Sequence, residues 1–195
     1  MEKKLIVFDF FGVISSEIAP VWLRKYFNEE DAKRIKAEIV SKVDSGEITE
    51  MELYRQLGKL ANVSADEVAK EWMDLVKIND RLVNFIKELK ENYKVILLSN
   101  ASDTYLRKIL NRYELIPLFD EIIISSEVEL VKPGSEIYQL ALDRMQVKPE
   151  ESVMIDDNIV NVNGAKQIGI AGILYTNVNS LIEELKQDLN CFSIV

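Results

Sequence analysis

The chain of 195 residues has no histidine and one cysteine, Cys191. Without histidine, every general acid, general base or metal ligand must be a carboxylate, amine, hydroxyl, amide or backbone group. That excludes Ser-His-Asp hydrolases and most zinc centres. A lone cysteine allows no internal disulfide and fits a reducing compartment, so a cytoplasmic location is expected. Cys191 also lies one position too far from the C-terminus for a prenylation box. No apolar run approaches the length of a membrane span, and the charged start Met1-Glu2-Lys3-Lys4 leads into too short an apolar core for a signal peptide. Cations are in deficit: 24 Lys and Arg stand against 33 Asp and Glu, a net charge of −9. That balance argues against broad contact with nucleic-acid phosphates or anionic membranes, so neither is expected as a partner.

What is present begins with Leu5-Ile6-Val7-Phe8-Asp9-Phe10-Phe11-Gly12-Val13-Ile14. A short apolar run rich in β-branched and aromatic residues reads as a buried strand of a parallel sheet. An ionised Asp has no cheap place within such a strand. Asp9 therefore either caps the turn that follows or sits at the strand's C-terminal tip, where open α/β sheets place their ligands. From about Ser15 to Ile78 the strand pattern gives way to four amphipathic helices, Ala19 to Phe27, Glu30 to Ser41, Thr49 to Leu60 and Ser64 to Lys77. Thr49 with Glu52, and Ser64 with Glu67, form capping-box patterns at two of the helix starts. Strands at Val95 to Leu98, Ile122 to Ile124, Val153 to Ile155 and Ile170 to Leu174 then alternate with helices at Asp80 to Lys90, Asp103 to Tyr113, Ser135 to Met145, Ile159 to Gln167 and Val178 to Asp188. Strict alternation implies right-handed crossovers and helices on both faces. The expected fold class is α/β, a doubly wound parallel sheet formed by residues 1–14 and 79–195, with a helical insertion at 15–78.

In such a sheet, residues just past the C-terminal ends of the strands face one crevice. The first strand brings Asp9, the second Ser99-Asn100, and the fourth Asp156-Asp157-Asn158 with Asn161 one turn later, while Lys132-Pro133 follows the third. Each has an ordinary reading, as a helix cap, a turn residue or a solvated charge. Four clusters on one edge point instead to a shared site. Asp9, Asp156 and Asp157 form an all-oxygen donor set suited to Mg²⁺ rather than zinc. A carboxylate approaching a phosphate meets repulsion of about 4 kcal/mol per pair of unit charges at 4 Å and an effective dielectric of 20. A divalent ion together with the Lys132 ammonium reverses that sign, and Ser99 with neighbouring amides can hold phosphoryl oxygens. The set suits phosphoryl transfer through a covalent aspartyl intermediate.

These stretches resemble the four motifs of the haloacid dehalogenase (HAD) superfamily, in order and across nearly the whole chain. They are Phe8-Asp9-Phe10-Phe11-Gly12-Val13, Leu98-Ser99-Asn100, Lys132-Pro133, and Ile155-Asp156-Asp157-Asn158 through Asn161. The insertion is similar to the helical cap of the subgroup that encloses small substrates. The Asp-Asp-Asn and Lys-Pro stretches are most similar to the branch holding sugar-phosphate phosphatases and the phosphatase domain of soluble epoxide hydrolase. The resemblance implies a HAD-like Rossmannoid core and a phosphatase acting on a small phosphorylated metabolite. It implies Asp9 as nucleophile, Mg²⁺ held by Asp9, the Phe11 carbonyl and Asp157 with Asp156 joining through water, Ser99 on the phosphate, and Lys132 paired with Asp9 and the transferring group.

One position departs from the pattern. Phosphatases of this superfamily usually carry an acid–base Asp two residues after the nucleophile, and here that residue is Phe11. Such assistance is worth about 10²–10⁴ in rate. Three readings follow: a preference for activated phosphates or another group serving as acid, a catalytically impaired binding or regulatory protein, and a 2-haloacid dehalogenase. The last ranks third, because dehalogenases tend to lose the fourth-motif aspartates kept here. Asn100 is a further candidate for substrate binding, as is Glu47 in the turn Ser45-Gly46-Glu47, whose other reading is an ordinary interhelical turn. Trp22 and Trp72 either line the pocket or fill the space between cap helices. The apolar tail Phe192-Ser193-Ile194-Val195 leaves monomer and homodimer both open.

Overall fold

The structure, a computed structural model, describes residues 3–188. Cys191 and the apolar tail lie outside the described residues. Five parallel strands form one sheet in the order β3-β2-β1-β4-β5: β1 (Leu5–Phe8), β2 (Lys94–Ser99), β3 (Glu121–Ile124), β4 (Ser152–Asp156) and β5 (Ala171–Leu174). β1 sits at the centre, with Phe8 aligned to Leu97 on one side and to Ile155 on the other. The chain first builds outward through β2 and β3, then crosses back to β4 and β5. The strand order thus reverses between β1 and β4, where open sheets of this kind form their crevice.

The two faces of β1 alternate strictly. Ile6 and Phe8 join the apolar cluster that contains helices α6 (Asp80–Leu89), α7 (Asp103–Arg112) and α11 (Val178–Asp188). Leu5 and Val7 join the opposite cluster, with Ile137, Tyr138, Ala141 and Leu142 of α9 (Ser135–Met145) and Ala165 of α10 (Ile159–Gln167). With both faces covered, the strands read as continuous apolar runs rather than alternating ones, because each face needs its own buried set.

Between β1 and α6 lie only helices: α1 (Ala19–Tyr26), α2 (Glu29–Ile35), α3 (Ser41–Asp44), α4 (Glu50–Ala61) and α5 (Ala65–Asp74). The single helix expected at Glu30 to Ser41 is instead interrupted. A π-helical turn at Lys36–Val40 joins α2 to α3, inserting backbone that shifts the face presented by the last turn. The Thr49 and Ser64 side chains each accept from the N–H three residues on, which is one half of the expected capping boxes. The helix expected to reach Lys77 stops at Asp74, because the following residues pair with the incoming strand of chain. Ser16 N–H donates to the Lys77 carbonyl at 3.0 Å, Asn79 N–H donates to that of Ile14 at 2.9 Å, and Ser15 bridges antiparallel to Ile78. Two adjacent linkers therefore carry the chain into and out of the helical segment.

That segment shares its apolar interior with the sheet. Trp22, Leu53, Tyr54, Leu57, Val68 and Trp72 belong to the same cluster as Phe8, Phe10 and Leu106. A short helix not foreseen from sequence, α8 (Ser125–Val128), follows β3 and meets the α3 end. Across the junction, Tyr105 of α7 donates its hydroxyl to the Trp72 carbonyl at 2.9 Å in a buried setting. Tyr105→Phe should lower stability by about 1–2 kcal/mol, the cost of stranding a buried acceptor. Urea unfolding checks it: the midpoint falls with an unchanged slope, whereas an unaltered midpoint would mean that water takes over the bond.

Candidate active site

Asp9 is the first residue past β1, and its N–H still pairs with the Ile155 carbonyl at 2.9 Å, so the sheet fixes its backbone. Its carboxylate accepts from the Phe10 N–H at 2.7 Å. The chain then curls: the Phe10 carbonyl accepts from Ile14 and Ser15, and Gly12 N–H donates to the Ser15 carbonyl. Gly12 has φ +83°, and a Cβ there would lie 2.0 Å from Asp157 Oδ2. Glycine is thus required twice, for the left-handed backbone and for the approach of Asp157.

Lys132 lies at the centre of the crevice. Its Nζ sits 2.6 Å from Asp156 Oδ2 and 3.0 Å from Asp9 Oδ1, with side-chain exposures of 0% for Lys132 and Asp156 and 11% for Asp9. Asp156 is saturated with donors: the Asn158 N–H at 2.9 Å, the Asn161 amide at 3.1 Å to both oxygens, and Lys132. Tyr138 steadies this turn by donating to the Asn161 carbonyl at 2.8 Å. Lys132 is itself held by Asn100, whose side-chain amide donates to the Lys132 carbonyl and accepts from its N–H, both at 2.8 Å. The Asn100 side chain is thereby committed to the lysine loop, and this residue holds Lys132 in place.

Asp9, Asp156 and Asp157 offer ligand oxygens within 4.8 Å of one another. Three carboxylates against one ammonium leave two negative charges unbalanced. Burial pushes Asp9 up to about 7 and Asp156 adds to that rise, while Lys132 opposes it. Burial, Glu17 and Asp156 push Asp157 up to about 6. Burial alone would lower Lys132, but the attraction of Asp9 and Asp156 outweighs it and holds its pKa above the ordinary lysine value. An oxygen-only set short of positive charge, with a glycine cleared beside Asp157, fits a hard divalent cation.

Residues 3–169 match the model of the haloacid dehalogenase-like hydrolases. The chain belongs to that family. Its HAD relatives include a D-ribitol-5-phosphate phosphatase of Bacteroides thetaiotaomicron, 25% identical over 96% of this chain and 98% of that protein. A sesquiterpene phosphatase of Aspergillus oryzae is 23% identical over 96% of this chain and 97% of its own length. A drimenol cyclase of Aspergillus calidoustus is 26% identical over 77% of this chain, which spans only 30% of that longer protein. Among solved structures, a HAD family enzyme of Bacteroides thetaiotaomicron in complex with magnesium and inorganic phosphate aligns over 92% of this chain and 98% of its own, with a TM-score of 0.75 and 22% identity. The HAD-like Rossmann core expected from the motifs is the fold observed.

Above the crevice is a cavity of about 100 Å³ between the sheet tips and the helical segment. Phe11 forms part of its floor, stacked on Tyr105 with ring centroids 6.0 Å apart. Of the two tryptophans, Trp72 lines the cavity, while Trp22 packs among the helices and donates its indole N–H to Glu71 at 2.7 Å. Ser99 is 1% exposed, and its hydroxyl has no hydrogen-bond partner among the described residues. Glu47 is not brought to the site: it is exposed and accepts from Ser45, since the turn at Gly46 directs it outward. The cavity residue from this region is Asp44, at the end of α3. The sequence carried a signal for it, because Asp44 follows the buried Val40 by one helical turn and so shares its inner face.

The pH dependence has a definite sign. Asp9 and Asp157 titrate above the ordinary carboxylate value, so the metal-free folded chain binds more protons than the unfolded one between about pH 4 and 7. Metal-free stability should therefore fall as pH rises through that window. Mg²⁺ should raise the melting temperature at about pH 7.5 and have no effect at about pH 4.5. Scanning calorimetry across pH, with and without Mg²⁺, checks this; equal stabilisation at both values would refute a carboxylate site.

Proposed function

We propose that this HAD hydrolase is a Mg²⁺-dependent phosphatase that hydrolyses a small phosphomonoester through an aspartyl-phosphate on Asp9. The observation that carries this reading is the buried ammonium of Lys132 between Asp9 and Asp156 at the switch point of the sheet, with Asp157 alongside. Asp9, the Phe11 carbonyl and Asp157 would hold the ion, with Asp156 joining through water. Asp156, whose oxygens are already engaged by Lys132, Asn158 and Asn161, suits an orienting role more than direct ligation. When bound, Mg²⁺ supplies positive charge to the phosphoryl oxygens and lowers the repulsion felt by an attacking carboxylate.

The remaining work falls to this chain's own groups. Asp9 attacks phosphorus while Lys132 offsets the charge that gathers on the transferring group. The Ser99 hydroxyl, otherwise unpartnered, donates to a phosphoryl oxygen, and Asn100 keeps Lys132 in register. The helical segment, residues 15–78, acts as a cap over the crevice and excludes water from the reaction. The leaving group occupies the cavity whose lining includes Ile18, Val40, Val43, Leu53, Tyr54 and Trp72, which favours a compact, largely apolar alcohol. The sesquiterpene phosphatase among the relatives is consistent with the apolar part of that preference.

Phe11 favours a second reading, a HAD protein that retains metal and phosphate binding with impaired turnover. The carboxylate cluster speaks against the third, metal-free dehalogenation. Release of nitrophenol from 4-nitrophenyl phosphate separates them. Turnover should require Mg²⁺ and fall at least about 10³-fold in Asp9→Asn. A wild-type rate no faster than that variant's would refute the phosphatase reading, and chloride release from a 2-haloacid without metal would favour the dehalogenase.

A further inference from the structure

An alkyl phosphate needs a proton on its departing oxygen, yet position 11, beside the nucleophile, holds a phenylalanine committed to stacking on Tyr105. The cavity over Phe11 contains three carboxylates, Glu17, Asp44 and Glu50. Glu50 accepts from the Tyr54 hydroxyl at 2.7 Å, and Glu17 also lines the outer groove with Gly12, Ser16 and Asp157. Asp44 differs in how it is held. Its carbonyl accepts from the Ser125 hydroxyl, and Ser125 Oγ in turn accepts from the Ala101 N–H at 2.9 Å. Ala101 follows Ser99-Asn100, so one serine ties the end of α3 to the tip of β2. Gly46, at φ +82°, lets the next turn close onto the α8 backbone, where a Cβ would stand 2.9 Å from the Ser126 carbonyl. The π-helical turn at Lys36–Val40 sets the rotation of this last helical turn, and Val40, Val43 and Asp44 together reach the cavity. The Asp44 carboxyl group makes no hydrogen bond to any described residue.

We propose that Asp44 is the acid–base group of this site. It gives its proton to the alcohol oxygen as an Asp9 oxygen bonds to phosphorus and the ester P–O bond breaks. It then takes a proton from water as the water oxygen bonds to phosphorus and the Asp9 oxygen–phosphorus bond breaks, releasing phosphate and restoring both carboxyl groups. The proposal rests on the phosphatase reading and adds the residue that the motif lacks.

The surroundings suit a group that both gives and takes a proton near neutrality. Burial pushes Asp44 up to about 7; Lys36, from the π-helical turn, and Lys132, from the loop after β3, pull it down, while Glu17 pushes it up. Glu50 of α4, Asn100, Ser102, Trp72 and the hydroxyls of Tyr54 and Tyr105 also line the cavity, the tyrosines held protonated by burial.

Leaving-group dependence tests the assignment. The wild type, Asp44→Asn, Asp44→Glu and Glu17→Gln are compared with Mg²⁺ on a short-chain alkyl phosphate and on 4-nitrophenyl phosphate, whose phenolate departs without a proton. Asp44→Asn should lower kcat/KM, which reports transfer to Asp9, by about 10²-fold on the alkyl ester and by less than about 5-fold on the aryl ester. Asp44→Glu should restore part of the alkyl rate. The fall in the wild-type alkyl rate above neutral pH should be absent from Asp44→Asn. Retained aryl turnover in Asp44→Asn also shows that the variant is folded. Equal losses of kcat/KM on both esters, no loss on either, or the same selectivity in Glu17→Gln instead would overturn the proposal. Failure of the wild type on both esters would overturn the phosphatase reading beneath it, and that result is seen before any variant is made.

Discussion

A fully buried ammonium must be compensated, and Lys132 can be stable at the heart of this crevice only because two carboxylates hold it from neighbouring strands. Those carboxylates are equally dependent on it. Asp9 comes from the centre of the sheet and Asp156 from its neighbour, so the pair exists only where β1 and β4 run parallel in register. Much of the surrounding polar structure serves this arrangement. Asn100 spends its whole side chain on the lysine backbone, Asn161 and the Asn158 N–H fill the remaining acceptor sites of Asp156, and Tyr138 braces Asn161. One more carboxylate, Asp157, lies over Gly12 and leaves the site short of positive charge. That imbalance is what the proposed Mg²⁺ would offset.

The helical segment contributes differently. It shares an apolar interior with the sheet, but its polar contacts with the sheet tips are few and specific: the Tyr105 hydroxyl to the Trp72 carbonyl, and Ser125 between Ala101 and Asp44. Its two antiparallel linkers, at 15–16 and 77–78, are the covalent route in and out. Neighbouring linkers and a small number of hydrogen bonds suit the cap role proposed for this segment.

Much of this was legible in the sequence, for a physical reason. A carboxylate ending an apolar strand carries a cost that demands an explanation, so Asp9 and Asp156-Asp157 announce themselves, and the alternation of strands and helices puts them on one edge. Residues whose role depends on a partner distant in the chain were harder to read. Asn100 reads as a substrate ligand from its place after β2, and nothing local shows that its amide is also paired with Lys132, 32 positions away. Glu47 stood out because it borders a glycine turn. The structure turns it outward and brings Asp44 inward, on the face of the buried Val40, although the π-helical insertion that sets the rotation of this turn has no composition signal. Ser125, the link between Asp44 and the sheet, belongs to a short helix with no apolar period to betray it.

Direct bonding of the Asp9 carboxylate to phosphorus, as proposed, is tested most directly by mass spectrometry of the acid-quenched protein during turnover of an aryl phosphate with Mg²⁺. The account predicts a phosphoryl-sized mass increase on the peptide carrying Asp9, absent from Asp9→Asn. Steady hydrolysis with that peptide unmodified at every quench time, or the added mass on a different peptide, would contradict it.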